Sequence, residues 1–378
     1  MKNFECSPKA ELGHSTLIRG PRGTILMTSF ITSPILLRPS LSRLRPLLCR
    51  RPTMTSAQDK PHKAAMDDVV SGRFRRKPSV FRDWISSAPD AKFTPDDNRY
   101  RLYVSLACPW ACRCLITRAL KGLQKTIPVT VVHHYMGPKG WRFVEEGEQN
   151  VPPMCEPEPL FGLKMIRDLY FKADEQYGGR FTVPVLWDTK LGTIVNNESS
   201  EIIVMLNEMF NEHAERPEVD LYPKELRTEI DDVAESFYNS LNNGVYRCGF
   251  AQTQGAYDEA VGELFDILEH FEERLGSRRY LVGDSLTLAD IRLFVTLIRF
   301  DPVYVSHFKT NKKRIFDYPN LSGFMKDLYQ NPKIKETVSF EHIKKHYFGS
   351  HPSINPLGIV PAGPDMSYLD TPHGREQV

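Results

Sequence analysis

The spacing of hydrophobic residues changes near residue 212 and predicts two kinds of structure. Between residues 98 and 212, short apolar runs alternate with segments of helical spacing, whereas residues 213–349 show helical spacing throughout. Alternating strands and helices are typical of an α/β domain, and successive amphipathic helices are typical of an α-helical one. We therefore predict an α/β N-terminal domain over 98–212, followed by an all-α C-terminal domain over 213–349.

The first of these regions predicts the element order β-α-β-α-β-β-α. Strands are predicted over 99–105, 128–134, 184–188 and 193–196, and helices over 110–122, 165–177 and 198–210. Residues 189–192 join the last two strands and end in glycine, which is typical of a hairpin. This order of elements predicts a thioredoxin-like domain.

The second region predicts helices from about Tyr222 onward. Apolar side chains recur at helical spacing over 226–241 and again over 260–275. Thr287 predicts the start of a third helix, because Asp290 stands where it can return a hydrogen bond to the capping residue. Further helices are predicted over 319–330 and 333–346, and an extended tail over 350–378.

The N-terminus has a different composition from the rest of the chain. Residues 12–58 contain no Asp or Glu but seven arginines, so we interpret 1–60 as a targeting or disordered extension. An acid-free, Arg- and Ser-rich segment is typical of a mitochondrial transit peptide. The alternative is a disordered extension with Met27 or Met54 as the working start. A start at Met54 would give a cytoplasmic protein.

Residues 61–97 are polar and mixed, and they predict a partly ordered lead-in to the first domain. The basic cluster at 75–77 is short. We interpret it as solvated surface, because isolated charge clusters usually face water.

The bulk composition bears on partners and on the redox compartment. The net charge is +2 and no nucleic-acid-binding motif occurs, so we expect no nucleic-acid partner. No run approaches the roughly 20 apolar residues that a membrane span needs, so we expect no membrane insertion. The seven cysteines do not form the even, spread framework of a disulfide-rich protein, which favours a reducing compartment.

Cys108 is the most informative residue for chemistry. It follows a predicted strand and directly precedes Pro109, which suits the first position of a helix because it has no N–H to lose. The free N–H groups and the positive dipole at a helix N-terminus favour a thiolate. Position 111 is alanine, so a reactive Cys108 would work alone with a small external thiol. The alternative is an inert core cysteine.

Two more cysteines lie on the same predicted helix. Cys112 is one turn beyond Cys108 and could act as a resolving thiol under oxidative stress, while packing is the simpler interpretation for both Cys112 and Cys114. A metal site that combines them with His133 and His134 would lack paired C-x-x-C spacing, so we predict no metal.

Several motifs carry a resemblance to a known family when they are taken in order along residues 78–363. Besides Cys108-Pro-Trp-Ala, they are Gly140-Trp-Arg-Phe, Thr182-Val-Pro-Val-Leu-Trp-Asp, Asn196-Asn-Glu-Ser, Asn242-Asn-Gly-Val-Tyr-Arg, Leu297-Ile-Arg-Phe-Asp-Pro-Val-Tyr and His346-Tyr-Phe-Gly-Ser-His. Each motif is weak alone, but their occurrence together in this order is specific. The chain resembles the glutathione transferases with a cysteine active site, in particular the Xi class, the glutathionyl-hydroquinone reductases.

The resemblance implies a glutathione transferase fold and a glutathione-dependent reductase. Such an enzyme removes glutathione from glutathionyl-hydroquinones, with glutathione as co-substrate and no permanently bound cofactor. Cys108 would attack the glutathione sulfur, form a mixed disulfide and release the hydroquinone. A second glutathione would then leave as oxidised glutathione. We also expect a homodimer.

The resemblance further implies a set of glutathione contacts. They are Trp141, Arg180, Phe181, Thr182, Val183, Glu198 and Ser199. Pro184 would be the cis-proline opposite Cys108. The free N–H groups and the Ser199 hydroxyl at a helix start would hold the γ-glutamyl carboxylate, while Glu198 would take the α-ammonium. Simple helix capping is the alternative at this position.

Three tyrosines complete the implied site. Tyr246 matches the proton donor to the ring, a general-acid role, whereas Tyr304 and Tyr347 match positions that lower the pKa of Cys108 by stabilising its charged form. Without the resemblance, each would be interpreted as a core or interface residue. Phe348 and Cys112 depart from the pattern, since relatives more often have tyrosine and histidine at those positions.

Two other functions stay open at this stage. An omega-like glutathione transferase, acting as a thioltransferase or dehydroascorbate reductase, needs Cys108 but not the three tyrosines. A non-catalytic interaction module with this fold, as in some translation factors, would need neither.

Overall fold

The computed structural model describes residues 68–378. The predicted extension over 1–60, with Met27 and Met54, lies outside the described residues, as do the first residues of the predicted lead-in. Within 68–378, no helix is both long enough and apolar enough to span a membrane.

The described chain contains short strands and a larger number of helices. The strands are β1 (Val69–Val70), β2 (Arg73–Phe74), β3 (Tyr100–Val104), β4 (Val129–Val131), β5 (Met136–Gly137), β6 (Gly140–Trp141), β7 (Val185–Asp188) and β8 (Thr193–Asn196). The helices are α1 (Pro109–Lys121), α2 (Ile166–Ala173), α3 (Ser199–Glu208), α4 (Arg227–Phe237), α5 (Gly244–Gly249), α6 (Gln254–Arg274), α7 (Leu288–Arg299), α8 (Val305–His307), α9 (Pro319–Gln330), α10 (Pro332–Lys335) and α11 (Phe340–Ser350).

A mixed four-stranded sheet lies at the centre of the α/β region, in the order β4-β3-β7-β8. Strand β3 runs parallel to β4 and antiparallel to β7, and β8 pairs antiparallel with β7. Every strand and helix predicted in this region is confirmed, in the predicted order. The short β5–β6 hairpin is not predicted by the sequence pattern.

Helix α1 begins and ends at local sequence signals. Cys108 caps it in an extended conformation, and Pro109 takes the first helical position, as predicted. Gly122 ends the helix with φ of 72°, a left-handed conformation that costs glycine little. The helix packs against α3 and α7, which places Cys108 between the sheet and the helical region.

The helical region follows the predicted pattern with one error. The helix predicted over 333–346 is two helices, α10 and α11, because Ser339 caps α11 by accepting a hydrogen bond from the His342 N–H at 3.3 Å. The predicted cap of α7 is confirmed, since the Thr287 N–H donates to Asp290 at 2.8 Å. Wide π-helical turns follow α4 and α7, and the second of them ends at Tyr304.

The described part of the predicted lead-in contains the β1–β2 hairpin, which buries Phe74. The tail over 350–378 is not extended throughout, because Ser367–Asp370 forms a short 3-10 helix with Leu369 buried. Arg375 is also buried and donates to the carbonyl oxygen of Leu275 at 3.0 Å.

A buried ion pair fastens the start of β3 to the end of β7. The Nη2 of Arg99 lies 2.6 Å from Oδ2 of Asp188, and the two side chains are 5% and 0% exposed. Asp188 also accepts hydrogen bonds from the backbone N–H groups of Lys190 at 2.8 Å and Leu191 at 3.2 Å. The same carboxylate therefore holds the two central strands together and fixes the turn between β7 and β8.

We expect Asp188→Ala to lower the free energy of unfolding by about 3–5 kcal/mol, because it removes the buried carboxylate partner of Arg99 and leaves only the half-exposed Asp96 as an ion-pair partner. Urea denaturation followed by circular dichroism measures this change. Asp83→Ala is the control, since it removes the exposed pair with Lys92 and should change stability by less than about 1 kcal/mol. Similar small effects for both variants would contradict the prediction.

Candidate active site

Cys108 faces the loop that leads into β7. Its Sγ lies 3.4 Å from the carbonyl oxygen of Val183, and the Val183–Pro184 peptide bond is cis, as predicted. The structure therefore brings together the cysteine and the backbone segment that the motifs separate by more than seventy residues.

Opposing influences act on the Cys108 thiol. Burial raises its pKa and is the largest influence, while the backbone N–H groups of Ala111 and Trp110 and the guanidinium groups of Arg299 and Arg76 lower it. The pKa lies above its ordinary value as a result. The predicted lowering by the helix N-terminus is thus present as an influence, but burial outweighs it.

Arg299 fixes the loop that carries Cys108. It is wholly buried in α7, and its Nε donates to the carbonyl oxygen of Ala107 at 2.9 Å. Its two terminal nitrogens donate to the carbonyl oxygens of Leu106 at 3.2 Å and Val295 at 2.8 Å. Sequence reasoning missed this role, although Arg299 lies inside one of the motifs.

A cavity of about 450 Å³ opens in front of Cys108. Among the predicted site residues, those that line it are Cys108, Trp141, Arg180, Phe181, Thr182, Val183, Tyr246 and Tyr347. Further aromatic walls come from Phe74, Trp110, Tyr135 and Phe250. Such a concave, mostly aromatic cavity with a few polar groups suits a planar ring.

The hydroxyl of Tyr347 lies at the centre of the tyrosine group. It is 2.6 Å from the Tyr246 hydroxyl and 3.1 Å from the Tyr304 hydroxyl. Tyr304 does not line the cavity, since it is fully buried and its ring stacks on Phe308. Burial raises the pKa of all three phenols, so they keep their protons at neutral pH.

The predicted effect of Tyr304 and Tyr347 on the Cys108 pKa stays a prediction. Within residues 68–378, their hydroxyls bond to each other and to Tyr246, and the main groups that lower the Cys108 pKa are backbone N–H groups and arginines. The three hydroxyls form a chain that ends at Tyr246, which lines the cavity.

A second cavity, of about 360 Å³, adjoins the first. Both are lined by Arg76, Trp110, Arg180, Thr182 and Val183. The start of α3 also lines the second cavity, where Glu198 accepts a hydrogen bond from the Ser200 N–H at 3.1 Å. Glu198 is thus the helix cap, the alternative considered from the sequence, and it still lines the cavity.

Ser199 is a free polar group in this second cavity. Its side chain is buried, and its hydroxyl has no hydrogen-bond partner among residues 68–378. A buried hydroxyl beside the N-terminus of a ten-residue helix suits a carboxylate, which is attracted by the helix dipole and by free N–H groups.

The remaining predicted residues make packing contacts. The ring of Trp141 stacks on His346 with 4.5 Å between centres. Cys112 and Cys114 are fully buried, and the Cys112 Sγ lies 4.0 Å from the carbonyl oxygen of Thr337. These contacts favour packing for both cysteines. In the part of the chain that the structure describes, no group of three or more His, Cys, Asp or Glu residues could hold a metal ion.

Sequence reasoning also missed Arg76. Arg75 and Lys77 are exposed, although Lys77 also lines the 360 Å³ cavity, whereas Arg76 is half-buried and lines both cavities. Its guanidinium carbon lies 4.8 Å from the ring centre of Trp110 and 5.0 Å from that of Tyr246. No local pattern marks Arg76, because its partners are distant in the sequence.

We expect iodoacetamide to alkylate Cys108 slowly at pH 7 and about tenfold faster with each added pH unit, up to at least about pH 8.5. The reason is that the thiolate fraction keeps growing until the pH reaches the raised pKa. Mass spectrometry of the peptide that contains Cys108 measures the rate, with Cys108→Ser as the control. A rate that levels off below pH 7 would show a lowered pKa instead.

Comparisons with known proteins identify the family of this chain. A family model described as the glutathione S-transferase N-terminal domain matches residues 107–209, and one described as the C-terminal domain matches residues 254–327. Glutathionyl-hydroquinone reductase YqjG from Escherichia coli K12 is 50% identical over 313 residues, which cover 81% of this chain and 93% of that protein.

Solved structures show the same similarity. The glutathione-bound structure of YqjG from Escherichia coli K-12 superposes with a TM-score of 0.74 at 50% identity, covering 79% of this chain and 96% of that one. The Xi glutathione S-transferase from Phanerochaete chrysosporium gives a TM-score of 0.74 at 54% identity, covering 78% and 93%. This chain has the glutathione transferase fold and belongs to the Xi class of that superfamily, the family of the glutathionyl-hydroquinone reductases.

Proposed function

We propose that this chain is a glutathionyl-hydroquinone reductase. It removes glutathione from aromatic glutathionyl-hydroquinones and yields the hydroquinone and oxidised glutathione. The observation that carries the proposal is a cysteine without a dithiol partner in its motif, facing a cavity that also contains the paired hydroxyls of Tyr246 and Tyr347. The name of the Escherichia coli relative supports the same activity.

Cys108 is the nucleophile of the first step. Its thiolate attacks the glutathione sulfur of the substrate, an S–S bond forms, and the C–S bond to the ring breaks. The electron pair of that bond leaves with the ring. A cysteine that is only slightly ionised at neutral pH is still a strong nucleophile, since intrinsic nucleophilicity rises with thiol pKa.

Tyr246 is the proton donor to the ring carbon that loses sulfur. Burial raises the pKa of Tyr246, so the phenol keeps its proton until the ring carries negative charge. Tyr347 holds the hydroxyl at 2.6 Å and has Tyr304 behind it. The three tyrosines thus give one donor and two positioning residues.

A second glutathione completes the cycle. Its thiolate attacks the Cys108–glutathione disulfide, oxidised glutathione leaves, and the Cys108 thiolate is restored. The thiol proton of this second glutathione replaces the proton that Tyr246 gave to the ring. One glutathionyl-hydroquinone and one glutathione are consumed for each hydroquinone and oxidised glutathione formed.

The 360 Å³ cavity is the proposed glutathione site. Ser199 and the start of α3 bind the γ-glutamyl carboxylate, and the backbone of Val183 lies beside Cys108 for the cysteinyl part. Glu198 takes the α-ammonium, and Trp141, Arg180, Phe181 and Thr182 form further walls. The relative YqjG has a solved structure with glutathione bound, which supports glutathione binding by this chain.

Exposure of the protein to one equivalent of a glutathionyl-hydroquinone, with no free glutathione, should leave a glutathione adduct on Cys108, because the second step has no thiol. Peptide mass spectrometry locates the adduct, and reduction should remove it. Cys108→Ser should give no adduct. An adduct confined to Cys112 or Cys114 would overturn the assignment of the nucleophile.

A second experiment distinguishes the proposed function from the omega-like alternative. We expect Tyr246→Phe to lower kcat/KM for the glutathionyl-hydroquinone about 100-fold, since a general acid contributes 10²- to 10⁴-fold. Reduction of dehydroascorbate releases no aromatic ring. Its turnover should be slow in the wild-type protein and should fall much less in the variant. Full activity of Tyr246→Phe on the quinol would remove the proton-donor role, and a wild-type preference for dehydroascorbate would favour the omega-like function.

The cellular setting and the assembly belong to the same proposal. The acid-free, Arg-rich composition of residues 12–58 supports import into mitochondria, and a start at Met54 would leave the protein in the cytoplasm. The resemblance to the family supports a homodimer.

A further inference from the structure

Arg76 carries a positive charge that no carboxylate among the described residues pairs. Two arginines, Arg76 and Arg180, line both cavities. Arg180 forms an ion pair with the buried carboxylate of Asp68. Arg76 instead donates from Nε to the side-chain oxygen of Asn243 at 3.0 Å, and it has no ion-pair partner among residues 68–378. Its charge is therefore available to whatever enters the cavity.

Three aromatic rings hold this cation in place. The guanidinium carbon lies 4.8 Å from the ring centre of Trp110, 5.0 Å from that of Tyr246 and 5.6 Å from that of Phe74. Aromatic faces attract a guanidinium group, and the Asn243 hydrogen bond sets its orientation. The cation is thus fixed beside the phenol that we assign as proton donor.

The proposed reaction develops negative charge in the same place. Tyr246 first protonates the ring carbon that bears the sulfur, while a ring hydroxyl has lost its proton, so that this carbon becomes tetrahedral and the ring becomes a ketone. When Cys108 then takes the glutathione sulfur, the electron pair of the C–S bond restores the aromatic ring, and the negative charge falls on the former ketone oxygen. A fixed cation that is already oriented stabilises such charge far better than mobile solvent does. A guanidinium also presents N–H groups that suit a phenolate oxygen.

The geometry points to Arg76 as a further catalytic residue, which binds a ring oxygen of the hydroquinone and stabilises the negative charge of the departing ring. This inference rests on the proposed function and adds to it a preference for rings that leave as anions. Arg76 is then the electrostatic partner of Tyr246, since Tyr246 protonates the ring carbon and Arg76 stabilises the negative charge on the ring oxygen.

The test compares ring release with an exchange that involves no ring. The variants are Arg76→Gln, Arg76→Lys and, as a matched control, Arg75→Gln, whose side chain is exposed on the same segment. The substrates are a glutathionyl-hydroquinone and the mixed disulfide of glutathione with mercaptoethanol. Both need Cys108, but only the first releases a carbon leaving group.

We expect Arg76→Gln to lower kcat/KM for the glutathionyl-hydroquinone about 100-fold and for the mixed disulfide less than about threefold, the first being typical of a lost charge-stabilising donor. Arg76→Lys should keep part of the activity because it keeps the charge. Chlorine substituents on the ring should reduce the loss in Arg76→Gln, because they stabilise the ring anion themselves. Arg75→Gln should match the wild type with both substrates.

Two results would overturn the inference. Equal losses with both substrates would show that Arg76 acts on the thiol, and unchanged kcat/KM in Arg76→Gln would show that it does not act on the ring. Circular dichroism checks folding, and Arg76→Lys still tests the charge if Arg76→Gln does not fold. Failure of the proposed function is a separate outcome, seen as a wild-type protein that exchanges the mixed disulfide but does not turn over the glutathionyl-hydroquinone.

Discussion

The position of Cys108 depends on the buried guanidinium of Arg299. Three backbone carbonyl oxygens, from Leu106, Ala107 and Val295, accept its hydrogen bonds. Two of them belong to the loop that enters α1, and the third belongs to α7 itself. A charge that is removed from water costs several kcal/mol unless it is well bonded, so this group strongly favours one arrangement of the loop. The strand, the thiol and the helical region are joined at this one side chain.

The same crowding that orders the loop also limits the thiolate. Burial opposes ionisation of Cys108, whereas two N–H groups and two cations favour it. The result is a thiol whose ionised form is uncommon but whose attack is strong when it forms. Tyr246 shows the same compromise, since burial keeps its proton in place and Arg76 draws that proton toward release. In this site, burial therefore disfavours the ionised form of both Cys108 and Tyr246, and nearby positive charge favours it.

Local signals explain why the sequence predicts one part of the site well. Cys108 and Pro109 mark the start of α1 by themselves, and the Ser339 cap that divides α10 from α11 could have been found in the same way. Motif resemblance places Tyr304 at the site, but a motif does not show how deeply a side chain is buried. Tyr304 lies behind the residues that line the cavity. Neither local sequence signals nor motif resemblance identifies Arg76. Its two neighbours are also basic, and only the fold turns it toward Trp110 and Asn243.

The walls of the two cavities come from different parts of the chain. Residues around the thiol and the proposed glutathione site, such as Thr182 and Ser199, come from the α/β region. The ring side is lined by Phe74 from the segment before the sheet, Tyr246 from the helices and His351 from the chain just after α11. Under the proposed function, mutation of Phe74 or His351 can therefore change the choice of aromatic substrate, whereas Cys108 and Tyr246 have to be kept for the chemistry.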